Sequence, residues 1–295
     1  MLPHFRRIVI DGVGLLGGSL GMALRRRRMA EEVIGLGRSR KRLERARQLG
    51  GVDSCTTDAA EAFRQADAVL ICLPPRLIRA RLAEVAAQVS PGAFVTDVGS
   101  VKEAIVGEAE ERLPEDCLFI GSHPMAGSER TGVEAARGDL FEGQACFLTP
   151  TAATRRAALT LAVHFWRSLG ARVVITDPAR HDRLVSAISH LPHLAAVALI
   201  QTLYSRGDST PFYQAVIGNG FRDSTRVAAG DAETWEQIFI ENAPALTADL
   251  DTLLEVLSEW RDRLARGGSG EIAERLAEAG GLRRELAAGG EIAPP

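Results

Sequence analysis

The chain has 295 residues, of which 46% are hydrophobic and 25% charged, and a formal net charge of −3. That length suffices for two globular domains, and the absence of a basic excess gives no reason to expect nucleic acid. No apolar stretch approaches the roughly 18 residues of a membrane span and no signal-peptide core precedes the first strand, which reads as a cytoplasmic protein. Cys55, Cys72, Cys117 and Cys146 lack paired spacing, as expected of reduced thiols rather than a disulfide framework or a metal site.

Arg7 to Asp11 is a short apolar run that reads as a buried strand, followed by Gly12-Val13-Gly14-Leu15-Leu16-Gly17 and by a helix with a small apolar face from Gly18 to Leu24. In that setting the three glycines predict a dinucleotide turn. Gly12 permits the tight turn, Gly14 lets backbone approach a pyrophosphate, and Gly17 lets helix and strand pack closely, with the phosphates on the helix N-terminus at Leu15 and Leu16. The bland alternative is a Gly-rich turn of an unrelated α/β domain. Arg25 to Arg28 fall at the helix end, where cations favour the dipole, and read as solvated.

A second strand runs from Val33 to Gly37. An NAD-preferring turn commonly carries an acidic residue there to hold the ribose hydroxyls, yet Gly37 is followed by Arg38, Ser39 and Arg40. These three are either a basic helix start open to solvent or a seat for a 2′-phosphate, so NAD and NADP both stay open. Strands over 68–73, 93–97, 118–121, 145–148 and 172–175 alternate with helices over 76–89, 101–113 and 155–169. The alternation predicts an N-terminal Rossmann-type α/β domain, residues 1–176, on a parallel, doubly wound sheet.

From Ala179 onward only helical runs are found, over 181–204, 211–229 with a glycine break, 232–241 and 246–264, which predicts an all-α C-terminal substrate and dimerisation domain over 177–266. Its last run sets Leu246, Leu250, Leu253, Leu257, Trp260 and Leu264 on one stripe. A stripe of this kind is core or a homodimer surface, and an all-helical second domain favours the homodimer. Residues 267–295 read as a linker with a weak C-terminal helix or tail.

Ligands of open α/β sheets bind beyond the carboxyl ends of the strands, which selects Ser100, after the strand ending at Asp97, and His123, in the loop after the strand ending at Gly121. A histidine titrating near neutrality is the natural base for an alcohol that loses hydride from the same carbon. The bland readings are a helix N-cap for Ser100 and a turn histidine before proline for His123. His190 and His193, three apart, are expected to meet a break or kink at Pro192, and read either as a buried polar joint or as substrate hydrogen-bonders; with no third ligand nearby they do not predict a metal. Arg222 and Arg226, four apart on a helix face, suit carboxylate capture, though a pair of surface arginines looks the same.

Together these motifs resemble the prephenate and arogenate dehydrogenases of tyrosine biosynthesis. The resemblance runs from the first strand to about Leu264 and rests on Gly12 to Ser19, Asp97 to Lys102, Ser122 to Glu129, His181-Asp182-Arg183, Ser189 to His193, and Gly220 to Asp223 with Thr225-Arg226. It implies oxidative decarboxylation of a cyclohexadienol, prephenate or arogenate, with hydride passing to NAD or NADP. It further implies His123 as base, Ser100 as a bridge between substrate, base and cofactor, and Arg226 as holder of the ring carboxylate. His193, His190 and Ser128 would lie near the substrate, with Arg222 and Glu129 towards its side chain and the gating of the site. Trp235 and Asp182 match positions at the active-site wall and between domains. The rivals are another two-domain hydroxyacid dehydrogenase or imine reductase, which commonly uses a lysine on the helical domain, where this chain has none between Ala179 and Leu264, and a non-catalytic dinucleotide sensor.

Overall fold

Short runs of aliphatic and β-branched residues form eight strands in a computed structural model that describes residues 3–64, 66–127, 130–267 and 269–288. They are β1 (Phe5–Asp11), β2 (Ala30–Leu36), β3 (Ser54–Thr56), β4 (Ala68–Ile71), β5 (Phe94–Asp97), β6 (Leu118–Pro124), β7 (Ala145–Thr149) and β8 (Arg172–Ile175), in sheet order 3-2-1-4-5-6-7-8. Six helices accompany them: α1 (Leu15–Arg26), α2 (Arg40–Gln48), α3 (Ala59–Phe63), α4 (Pro75–Gln88), α5 (Glu103–Arg112) and α6 (Arg156–Ser168). Successive residues of a strand point to opposite faces. Ile8 and Ile10 therefore pack with Leu20 and Leu24 of α1 and Phe165 and Trp166 of α6, whereas Val9 joins Phe63, Ile78, Leu82 and Ile105 from α3, α4 and α5. Burial on both faces explains why β1, β4 and β5 read as nearly continuous apolar runs.

The sheet is mixed rather than wholly parallel. β7 pairs antiparallel with β6, and β8 runs parallel to β7. Parallel neighbours need a crossover, usually a helix, while antiparallel neighbours can be joined without one. Between β6 and β7 the described residues hold only a 3-10 turn, Val133–Ala135, so the chain returns beside β6 in the opposite sense. The strand β3 was not expected; it has three residues, none fully buried, and pairs with β2 alone. The arginines closing α1 are also less free than expected, since Arg25 pairs with Asp53 at 2.7 Å and Arg26 and Arg27 both pair with Glu142.

The helices α7 (Pro178–Val185), α8 (Leu191–Tyr204), α9 (Thr210–Val216), α10 (Asn219–Thr225) and α11 (Ala232–Glu241) follow. Pro192 does not break its helix. A π turn, Ser186–His190, joins α7 to α8, and Pro192 stands just past that wider turn as the second residue of α8, so the helix runs on through it. The joined helix Pro178–Tyr204 has 27 residues and a mean hydropathy of 1.5 over its most apolar stretch, and by length and composition could cross a membrane, contrary to the expectation that no stretch approaches that length. It nonetheless carries Arg180, His181, Asp182, Arg183, His190 and His193, and its apolar Leu184, Ile188 and Leu199 are exposed.

By internal contacts the chain divides into residues 1–243 and 244–295, so α7 to α11 pack with the sheet in the first unit. The second unit contains all but the first residue of α12 (Ala243–Arg266) together with α13 (Ser269–Ala288), with Arg275 of α13 3.7 Å from Glu259 of α12. On the α12 stripe Leu246 is buried, but Leu257 and Leu264 are 53% and 64% exposed, so the stripe is not core throughout the single chain.

Candidate active site

At the end of β1, Gly12 adopts φ +96°, a region that L side chains rarely enter. A Cβ on Gly17 would press on the Gly12 carbonyl and stand 2.9 Å from Ile10 Cγ2, so this glycine is required by the packing of α1 on β1. Gly14 differs from both. Its φ of −93° lies outside the left-handed region, its ψ of −146° lies beyond the usual β range, and nothing lies within 4 Å of where its Cβ would stand. The helix α1 opens at Leu15 with no side-chain cap and no acidic residue in its first turn. Uncapped amides at Leu15, Leu16 and Gly17, the positive end of the helix dipole and open volume beside Gly14 together suit a diphosphate.

At the end of β2, Ser39 caps α2 by accepting from the Arg42 N–H at 3.4 Å. Arg38 and Arg40 are exposed, and among the described residues neither forms an ion pair. Asp11, the last residue of β1, is wholly buried. Arg81 Nε of α4 comes within 2.6 Å of its Oδ2, out of line for a hydrogen bond, and burial raises the carboxyl from 3.8 to about 6 despite this arginine.

The second part of the site is built on β5 and β6. Alternation sends Thr96 and Ser122 to the α6 face, where their hydroxyls lie 2.7 Å apart and Trp166 Nε1 donates to Ser122 Oγ at 3.0 Å. Asp97 and His123 take the other face. There the wholly buried Lys102 pairs with Asp97 and donates to the Ser122 carbonyl at 2.9 Å. His123 lies within β6, which extends to Pro124, rather than in the loop beyond it. Burial, followed by the neighbouring His181, Lys102 and His190, holds its imidazole well below the usual 6.5, so it is neutral at neutral pH.

His123 Nδ1 lies 2.9 Å from His181 Nε2, and His181 Nδ1 lies 2.7 Å from Asp182 Oδ1. The two carboxylate oxygens of Asp182 also accept the backbone N–H of Lys102 at 2.7 Å and of Glu103 at 2.9 Å. Asp182 thus satisfies the start of α5, and Ser100, three residues before that helix, is not its cap. Asn242 Nδ2 donates to the Asp182 carbonyl at 2.8 Å and to His190 Nδ1 at 3.0 Å. His190 meets the edge of Trp235, and His193 stacks on the same indole with centroids 3.6 Å apart.

Among the expected site residues, His123, His190 and His193 therefore join one continuous set of contacts, to which Asp182 also ties the Ser100 loop. The 3-10 turn Arg226–Ala229 packs on α8, the helix of His193. Arg222 and Arg226 do not share one helix: α10 ends at Thr225, Arg226 opens the 3-10 turn, and Arg222 Nε donates to the Ile217 carbonyl at 3.3 Å. Ser128 and Glu129 lie outside the described residues. Sequence reasoning missed Asn242 and Asp11, and quoted His181 only as part of a motif, without a role. For His181 a signal existed, a histidine directly before an aspartate on a helix expected beside the site.

Sheet order and glycine turn together place the chain among the two-part dinucleotide-binding proteins of the Rossmann type. Comparison with known proteins narrows the class. The family model for the prephenate dehydrogenase nucleotide-binding domain matches residues 20–175, and that for the prephenate dehydrogenase dimerization domain matches residues 177–278. A cyclohexadienyl dehydrogenase of Zymomonas mobilis subsp. mobilis is 33% identical over 292 residues, covering 98% of this chain and 99% of that protein. A prephenate dehydrogenase from A. aeolicus, solved in complex with hydroxyphenyl propionate and NAD+, superposes with a TM-score of 0.88 at 33% identity, covering 95% of this chain and 98% of the other. An arogenate dehydrogenase from Synechocystis gives 0.79 at 32% identity, covering 95% and 99%. The chain belongs to the prephenate dehydrogenase family.

Proposed function

We propose that this chain oxidises a cyclohexadienol bearing a ring carboxylate, prephenate or arogenate, with loss of carbon dioxide, as a step of tyrosine biosynthesis in the cytoplasm. The observation that carries the reading is His123, a buried and neutral imidazole on β6, in a fold whose glycine turn suits a diphosphate. Residues 1–176 bind the dinucleotide, with the diphosphate held by the turn at Gly12, Gly14, Leu15, Leu16 and Gly17. Residues 177–266 supply substrate contacts and the faces on which two copies pair. The exposed Leu184, Ile188 and Leu199 support that pairing, as does the family's dimerization domain.

The bound nicotinamide supplies the hydride acceptor. His123 takes the hydroxyl proton as the carbinol carbon is oxidised, and Ser100 orients that hydroxyl. Once the ring is a dienone, the electron pair of the bond to the ring carboxylate flows into the ring as carbon dioxide leaves. His123 returns the proton to the resulting phenolate oxygen, so no net proton is released. Arg226 holds the ring carboxylate before it leaves, His190 and His193 line the substrate, and Arg222 faces its side chain. Arg38 and Arg40, exposed and without ion pairs among the described residues, extend cofactor use from NAD to NADP, and Ser39 adds a hydroxyl donor.

Nicotinamide reduction with prephenate and arogenate, each with NAD and NADP, tests the reading. Turnover in at least one mixture is expected, together with its loss in His123→Asn while dinucleotide binding persists. Silence in all four mixtures with binding intact, or full turnover by His123→Asn, overturns it.

A further inference from the structure

We infer that His181 and Asp182 are positioning residues that select the tautomer of His123 in which Nδ1 carries the proton and Nε2 is the free base. Asp182 accepts two backbone N–H groups, from Lys102 at 2.7 Å and Glu103 at 2.9 Å, as an ionised carboxylate at a helix start does. A carboxylate has no proton to give, so His181 Nδ1, 2.7 Å from Asp182 Oδ1, is the donor of that bond. Burial keeps His181 below the usual histidine value, and in a neutral imidazole with a protonated Nδ1 the other nitrogen carries only a lone pair. His123 Nδ1, 2.9 Å from that lone pair, is therefore the donor of the next bond. Its own Nε2 is left unprotonated.

The rings are also held in place. Phe147 of β7 meets His181 edge to face at 5.0 Å, opposite His123 in the sheet register. The charged and titratable neighbours are Lys102 and Asp97 from the β5 end and His190 from the π turn. The donors run in one order, from His123 Nδ1 to His181 Nε2 and from His181 Nδ1 to the Asp182 carboxylate. When His123 accepts a proton, the resulting imidazolium already has its second N–H committed to His181, which Asp182 polarises. The arrangement parallels an aspartate that orients a catalytic histidine, with one imidazole inserted between them.

This inference rests on the proposed role of His123 as base, and the test separates the two. Histidine-labelled, cofactor-free protein would be examined by nitrogen NMR near pH 8, with the six histidines assigned using His123→Asn. The parent is expected to show a protonated Nδ1 and a bare Nε2 at His123. His181→Gln can still accept from His123 and donate to Asp182, so it should keep that tautomer and turn over within roughly tenfold of the parent. His181→Leu can do neither; it should show mixed tautomers and lose about 10²- to 10⁴-fold in kcat, with KM little changed. A folded His181→Leu with parental tautomer and kcat overturns the relay, as does a parent His123 protonated at Nε2. A parent with the expected tautomer but no turnover on either substrate supports the relay and removes the proposed reaction instead.

Discussion

The three glycines of the first turn do different physical work, and alanine at each should separate that work. At Gly14 the added methyl meets nothing within 4 Å, although a ψ of −146° lies beyond the usual β range. Alanine is a poorer helix N-cap than glycine, but it also removes conformational freedom from the unfolded chain, worth about 0.4–1 kcal/mol. The effects offset one another in part, and the cofactor-free midpoint should fall by less than that of Gly17→Ala. At Gly17 the methyl would be driven against the Gly12 carbonyl, a backbone atom that cannot swing aside, and stand 2.9 Å from Ile10 Cγ2. Overpacking of that kind costs about 1–3 kcal/mol and should lower the midpoint by several degrees. Binding should reverse the ranking among folded variants, because the Gly14 methyl occupies the volume assigned to the diphosphate. Titration calorimetry with NAD should show Gly14→Ala at least about tenfold weaker, equivalent to 1.4 kcal/mol. Binding within twofold of the parent would refute the assignment of that volume. A thermal loss for Gly14→Ala equal to that of Gly17→Ala would refute the division of labour.

Two further outcomes follow from buried and exposed charge. Folding raises the Asp11 carboxyl from 3.8 to about 6. The folded state therefore binds this proton more tightly than the unfolded chain, and the stability it lends is present below the lower value and lost as pH rises to about 6. At 1.36 kcal/mol per pH unit the loss is about 3 kcal/mol. Asp11→Asn should match the parent in urea unfolding near pH 4 and exceed it by up to that amount at pH 7; a gap independent of pH would refute the account. Arg226→Ala should raise KM about tenfold or more and leave kcat within severalfold, since it removes a charged partner of a carboxylate. An unchanged KM would remove Arg226 from the site.

The parts of this fold that were legible in the sequence are those whose cause is local. The apolar run before Gly12 and the spacing of the glycines are set by burial and by backbone clearance within a few residues. Strand direction has no such signature: Ala145 to Leu148 looks the same whether β7 runs with β6 or against it. The strand β3, Ser54-Cys55-Thr56, sits at the sheet edge without an apolar run to mark it. Pro192 suggested a broken helix because a π turn is not encoded in residue spacing. The histidine chain lay further out of reach. His123 and His181 are 58 positions apart, and their meeting depends on how α7 sits against β6.

Lys102 has an experimental consequence of its own. The sequence contains 33 arginines but only Lys41 and Lys102 as lysines, and the Lys102 ammonium is sealed between Asp97 and the Ser122 carbonyl while Lys41 is exposed. An amine-reactive acylating reagent would modify the exposed Lys41 at once, and would reach Lys102 only when the seam between α5 and β6 opens. The slow appearance of a label at residue 102, followed by mass spectrometry, would clock that opening in the native protein.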